Sequence, residues 1–353
     1  MMKVKRVSIT YVLLIVFLFL AFMLIGCEQP DEVSDDNGEE LDEHVEKVLR
    51  VAITREPDGF DHHATRDVNT GLITVQWTEQ CWHMDPFGNR IGHDGEGILK
   101  QEQVGETTYE YTFRDDLTFH NGDPFTIEDA KFSFERVMLE GGMEGETSPM
   151  RRSPYTTAES VEIVGDWTLR VEYEDPDIAK HLSHHPSMYP KNLFEELGPD
   201  KFFENPIGIG PFKWVEGDPA EFIILERFED YYGGIPEAVP GEPERVPPVD
   251  RLEIYFIPEA ISRIAALIAG DVDVIQDVPV DQVPLLDNNP DIQVDAIDGT
   301  RINAIEFNVN KPPFDDVRVR HAVAYAIDYE LITDVLYGGY STPLYGRPYI
   351  EPY

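Results

Sequence analysis

Hydrophobic residues fall first into one unbroken block, then into short alternating runs, and finally into helical stripes. The block spans residues 11–23, after Lys3, Lys5 and Arg6 and before LIGC at 24–27. It is short for a bilayer-spanning helix, which needs roughly 20 apolar residues. Its basic, apolar and small-residue parts are ordered as in a secretory signal peptide. From residue 48 the pattern is mixed α/β. VLRVAIT (48–54) suits a buried strand closed by the turn residues of EPDG, and TYEYTFRDD (108–116) alternates as a half-buried strand. VEIVGDWTLRVEYE (161–174) and GPFKWVEGDPAEFIILERF (210–228) predict hairpins, the second turning at residues 217–219. Residues 249–278 predict strand, helix and strand, a βαβ unit. Pro258 would start its helix, Ile261, Ile264, Ala265 and Ile268 would form the apolar stripe, and Gly270 would stop it. IDGTRINAIEFNVN (297–310) predicts one more long strand.

Several helix starts carry capping signals. Thr126 followed by Asp129 is a near-capping box, with Ile127, Ala130, Phe134 and Val137 on one face behind it. In PFDDVRVRHAVAYAID (313–328), Asp315 is the expected N-cap and Phe314 staples onto Val319, while Val319, Val323, Ala326 and Ile327 share a face. Asp328 caps the next helix with an Ile327–Ile332 staple, and Gly338 and Gly339 end it. Both helices present an apolar side that needs a sheet to cover it.

Charge and cysteine usage narrow the class. The chain carries a formal net charge of −40, and loss of residues 1–26, with three basic and no acidic side chains, makes this −43. Such a surface excludes nucleic acid as a partner and disfavours lying flat on anionic lipid; the charge is read as a solvation device. Residues 28–46 hold ten Asp or Glu and no Lys or Arg, a composition that cannot offset its own ordering entropy and predicts a flexible stalk. Gly26 before Cys27 resembles a bacterial lipobox, with the Cys27 thiol acylated as the new N-terminus. Cys81 is then without an intrachain partner and is expected to be a buried small hydrophobe. The proline-rich run at 233–249 reads as a surface connection. His62, His63, His181, His184 and His185 are expected to be solvated surface histidines, since no Cys or carboxylate set completes a metal site with them.

Six ordered segments then resemble a known family over nearly all of the chain after the stalk. They are LRVAITREPDGFDHH, YTFRDDLTFHNGDPFTIEDAKFSFERV, GIGPFKWVEG, LERFEDYYGG, IPEAISRIAALIAGDVDVIQDVP and FNVNKPPFDDVRVRHAVAYAID. Together they are similar to the large solute-binding proteins of bacterial oligopeptide, dipeptide and nickel ABC importers. Tyr232 stands where the family usually has Trp, and residues 83–103 keep a DP-GN hairpin but not the rest of the family pattern.

The resemblance implies a large periplasmic-binding-protein-like α/β fold (type II, cluster C), with mixed sheets and an interlobe cleft. It implies a signal peptide at 1–26 and a stalk at 27–47. Domain I would comprise 48–75 and 206–306, domain II 76–205, and a third domain, mostly missing, would begin at 307–353. The implied function is a lipid-anchored, exported, monomeric receptor. It would capture an oligopeptide by lobe closure and pass it to membrane permease subunits, with no cofactor, no resident metal and no bond made or broken. The same role for a nickel chelate, an oligosaccharide or another solute stays open, as does a ligand-sensing lipoprotein. An enzyme is not expected, because GxSxG, HExxH, P-loop and dinucleotide fingerprints are lacking. Cleft positions expected at strand ends and crossings are Phe60, Asp61, Gln80, Trp82, Phe307, Asn308 and Asn310; each equally suits packing or a turn. Trp82 is favoured because an aromatic wall suits peptide-like ligands.

Overall fold

Two β-sheets, each covered by helices, organise the chain. The computed structural model describes residues 45–78, 83–84, 90–91, 99–151, 155–176, 186–234, 246–296 and 303–344. Glu46–Tyr353 clusters as one unit. The strands are β1 (Val48–Ile53), β2 (His83–Met84), β3 (Arg90–Ile91), β4 (Leu99–Gln103), β5 (Thr108–Phe113), β6 (Ala158–Gly165), β7 (Thr168–Tyr173), β8 (Phe212–Asp218), β9 (Phe222–Arg227), β10 (Arg251–Phe256) and β11 (Val274–Ile275). The helices are α1 (Val68–Thr78), α2 (Ile127–Met138), α3 (Lys191–Leu197), α4 (Pro199–Phe202), α5 (Ala260–Ala269), α6 (Val283–Asp287), α7 (Val317–Ala326) and α8 (Tyr329–Leu336). Among the described residues no helix is long and apolar enough to cross a membrane.

The first sheet is mixed, in the order β11-β1-β10-β9-β8. β1 is parallel to both β10 and β11, and β9 and β8 continue antiparallel. The βαβ unit is therefore present, with β1 seated between its two strands. Leu252, Ile254 and Phe256 alternate inward on β10 and meet Phe60, Ile73, Trp77, Phe212, Ile223 and Leu225 in one core. The second sheet is antiparallel, β4-β5-β7-β6. Tyr109, Tyr111 and Phe113 of β5 share a buried face with Leu169, Val171 and Tyr173 of β7, and α2 lays Phe134 on it, 5.1 Å from the Tyr111 ring. The polar face carries a cross-strand pair, Arg170 to Glu110 at 2.6 Å. β2 and β3 pair antiparallel, His83 with Ile91 and Met84 with Arg90, and the expected DP-GN hairpin turn between them lies outside the described residues.

Local signals hold where they depend on neighbours in sequence. Thr126 caps α2 in a complete capping box with Asp129, and Ala130, Phe134 and Val137 are buried. Gly270 closes α5 in the left-handed conformation at φ 78°. Asp328 caps α8 through the Leu331 N–H.

Other expectations need correction. The β8–β9 turn lies at residues 219–221 rather than 217–219, because Gly217 and Asp218 stay paired to Ile223 and Phe222 while the Asp218 carboxylate takes the Ala220 N–H. The N-cap of α7 is Asp316, not Asp315; Asp315 is used in the preceding turn, its N–H donating to the Lys311 carbonyl. Of the expected strand at 297–310, residues 303–308 form none and Ile305 and Val309 stand exposed, while residues 297–302 lie outside the described residues. In α5 the expected stripe holds only at Ile264. Arg263 and Ile264 are buried while Ile261 and Ile268 are exposed, because the Arg263 guanidinium donates to the carbonyls of Ile257, Pro258, Gln276 and Asp277 and turns the helix toward itself. α7 and α8 bury no residue among those described. Periodicity does not predict α1, a Thr- and Gly-containing helix whose start is held by Asp67 accepting from the Thr70 N–H.

The chain returns from the second sheet to the first through GIGPF, and the glycines there are fixed by contact. A Cβ on Gly208 would overlap the Trp77 carbonyl, and one on Gly210 would lie 2.6 Å from the Trp77 carbonyl carbon. The Gly210 N–H donates to that same Trp77 carbonyl at 3.0 Å, so the loop rests on the last turn of α1. Gly208→Ala is expected to cost about 2–3 kcal/mol through overpacking; urea unfolding with an unchanged midpoint would contradict the close approach.

Candidate functional site

Among the described residues, buried polar groups concentrate where the loop after β1 meets α2. Asp129, Ser133 and Arg136 occupy one stripe of α2 at i, i+4 and i+7, beside the apolar stripe that faces the second sheet, and all three are buried. Each holds a segment from elsewhere in the chain. Asp129 accepts from the Lys191 N–H at 2.8 Å, and Ser133 Oγ accepts from the Tyr189 N–H at 3.0 Å. Arg136 donates from both terminal nitrogens to both oxygens of Asp61, at 3.0 and 2.7 Å, and reaches Glu144 at 3.3 Å. Its side chain is 1 % exposed, so the pair is desolvated. The guanidinium also lies over the Phe194 ring, 4.7 Å from its centroid.

Asp61 also starts the short helical turn His62–Ala64 by accepting from the His63 N–H. Both histidines are then carried inward, correcting the expectation of solvated imidazoles. His62 Nδ1 lies 2.8 Å from Ser187 Oγ, the His62 N–H donates to the Tyr189 hydroxyl, and His63 Nε2 donates to the Ser187 carbonyl at 2.9 Å. Burial holds the His63 pKa well below the ordinary imidazole value, with Arg136 acting the same way. Burial likewise pushes the Tyr189 hydroxyl well up, so it stays a neutral donor and acceptor. For Arg136, burial works against the charge, but Asp61 and Glu144 outweigh it and raise the pKa.

A second junction sits at the return crossing. His120 follows β5, and its backbone N–H donates to the Gly208 carbonyl at 3.0 Å. Its ring accepts from the Gly208 N–H at Nδ1 and donates from Nε2 to the Gly210 carbonyl at 2.9 Å. Burial lowers the His120 pKa to about 4.

These arrangements position backbone segments against one another. Among the described residues there is no group of three or more His, Cys, Asp or Glu that could hold a metal.

The expected cleft residues fall into different settings. Phe60 is buried against Trp214 at 4.9 Å and Trp77 at 5.9 Å, and Asp61 is committed to Arg136 and the His63 N–H. Phe307 packs against Phe314 with the rings tilted by 37° and their centroids 5.0 Å apart. Asn308 accepts from the Asn310 N–H in an exposed turn. Gln80, Trp82, Cys27, Cys81, His181, His184 and His185 lie outside the described residues. Sequence reasoning missed Arg136, Ser133, Ser187, Tyr189 and His120. One signal was available, a polar stripe running directly beside the apolar stripe of α2.

The fold is that of the large periplasmic binding proteins. The solute-binding protein MoaA of A. tumefaciens R10, solved with mannopinic acid, superposes with a TM-score of 0.66 at 21 % identity, over 83 % of this chain and 57 % of that one. Residues 96–350 match the model of the bacterial extracellular solute-binding proteins, family 5 (middle), and the chain belongs to that family. It is 28 % identical over 267 residues to heme-binding protein A of Haemophilus influenzae, covering 69 % of this chain and 47 % of the relative. A putative ABC transporter peptide-binding protein of Brucella ovis is 26 % identical over 303 residues, covering 81 % and 53 %. The chain thus spans about half the length of the curated relatives it matches. These relatives are binding proteins, not enzymes.

Removing one partner of a buried ion pair costs more than removing both. Asp61→Ala is expected to destabilise the chain by about 3–5 kcal/mol, and Asp61→Leu combined with Arg136→Met by clearly less. Urea unfolding of the two variants reads the difference; equal losses would contradict a desolvated pair.

Proposed function

We propose that the chain is the solute-capturing part of an ABC importer, taking up an oligopeptide or peptide-like solute and presenting it to a membrane permease. The observation that carries this reading is the family match over residues 96–350. The named peptide-binding relative supports a peptide as cargo. The first sheet with the loops after β1, β10 and β11 would form domain I and the second sheet with α2 domain II. The solute would lie beside the loop 54–61, where the carboxyl ends of the parallel strands open, with Phe60, Asp61, Gln80, Trp82, Phe307, Asn308 and Asn310 as the nearest candidates. Cys27 would carry the lipid that keeps the receptor, a monomer, at the outer face of the cell membrane, its acidic stalk giving it reach. Binding involves no chemical step, and affinity comes from backbone amides and aromatic walls in a cleft emptied of water. A different small polar solute is the second reading, favoured by a relative named for heme and by a structural neighbour solved with mannopinic acid.

Native mass spectrometry of the full chain after incubation with a mixed tetrapeptide pool tests the cargo. A one-to-one peptide adduct is expected. Absence of any peptide adduct, with an adduct formed instead by hemin or by nickel with histidine, would overturn the peptide reading.

A further inference from the structure

Two of the contacts between the sheets are built on an imidazole that fits in one protonation state. At the return crossing, His120 Nδ1 faces the Gly208 N–H donor and Nε2 faces the Gly210 carbonyl, so Nε2 carries the proton and Nδ1 has none. A second proton would set two N–H donors against each other. At the other contact, His63 Nε2 must donate to the Ser187 carbonyl, and Nδ1 is buried with no hydrogen-bond partner among the described residues. A proton on Nδ1 would be an unpaired buried donor beside a guanidinium. Each imidazole bridges the layers. His63 follows β1 and bonds to the segment that α2 holds, while His120 follows β5 and bonds to the loop resting on α1.

The surrounding charges agree. Lys213 of β8 acts on His120, and the Phe228 ring stands edge-on 5.0 Å away. Arg136 of α2 and His62 act on His63, while Asp61, whose carboxylate takes the His63 N–H, is neutralised by Arg136. Glu144 lies on the far side of that guanidinium.

We propose that acidification separates the β11-β1-β10-β9-β8 layer from the β4-β5-β7-β6 layer while both sheets stay folded. The sign follows from proton counting. The joined state holds both imidazoles neutral, His120 with a pKa of about 4 against an ordinary 6.5. The separated state binds more protons, so coupling is full above pH 6.5 and weakens as pH falls toward 4. Between pH 7.5 and 5.0 most carboxylates stay ionised, and His120 alone would raise the opening equilibrium roughly 30-fold.

Hydrogen–deuterium exchange mass spectrometry of the full chain in non-ionic detergent at pH 7.5 and 5.0, corrected for intrinsic exchange, tests this. The lower pH stays above the pI of about 4.4, where precipitation would intervene. Residues 60–66, 118–122, 186–191 and 204–211 are expected to lose protection at pH 5.0 while β5, β7, β9 and β10 keep it. His120→Gln, which offers an acceptor and a donor but does not titrate, is expected to keep 204–211 protected. Equal loss in the strands, no loss anywhere, or unchanged loss in His120→Gln would overturn the proposal. If His120→Gln fails to fold at pH 7.5, the comparison of segments with strands in the unmodified chain decides it.

Discussion

The ion pair between Arg136 and Asp61 is the constraint around which the described structure is arranged. A guanidinium taken out of water is tolerated only when its charge is matched and its donors are used. Here Asp61 takes two of them in fork geometry and Glu144 takes more. Asp61 sits at the head of the turn that carries His62 and His63, so fixing its carboxylate fixes where both imidazoles go. They reach Ser187, whose neighbours Tyr189 and Lys191 are held by Ser133 and Asp129 on the same helix as Arg136. One stripe of α2 thus gathers the loop after β1 and the segment before α3 into a single polar seam.

That seam and the GIGPF crossing join the two sheets, and Arg66 and Ser148 add hydrogen bonds between the loop after β1 and residues 148–149. The apolar cores of the sheets are distinct, one around Trp77 and Leu225, the other around Tyr111 and Phe134. The polar contacts make the junction specific in orientation, and Ile209, Phe228, Tyr231 and Tyr232 add apolar packing from the return crossing and the segment after β9 to the second sheet's core. The polar contacts also make the junction responsive to anything that alters their donors.

Much of the fold was legible because it is local. The Thr126–Asp129 capping box, the hairpin of β6 and β7, the stop at Gly270 and the cap at Asp328 depend on residues a few positions apart. What escaped depends on distant segments. Arg263 turns α5 away from its expected face by reaching carbonyls at 257, 258, 276 and 277. The insertion of β1 between β10 and β11 is a pairing across some 200 residues that no window contains. Residues 303–308 have a strand-like composition but no ladder to join among the described residues. At the candidate site, Phe60 and Asp61 are legible from their place after β1, whereas nothing in the dipeptide HH distinguishes a solvated pair from His62 and His63 enclosed by Ser187 and Tyr189.

The most direct measurement is a distance distribution between the sheets. Nitroxides on Ile163→Cys, at the β6 edge, and Val274→Cys, on β11, with Cys27 and Cys81 replaced by Ser, use positions that are 36 % and 47 % exposed. Double electron–electron resonance at pH 7.5 should give one narrow peak if the polar seam holds the two sheets as a single body. A broad or two-peaked distribution would contradict that.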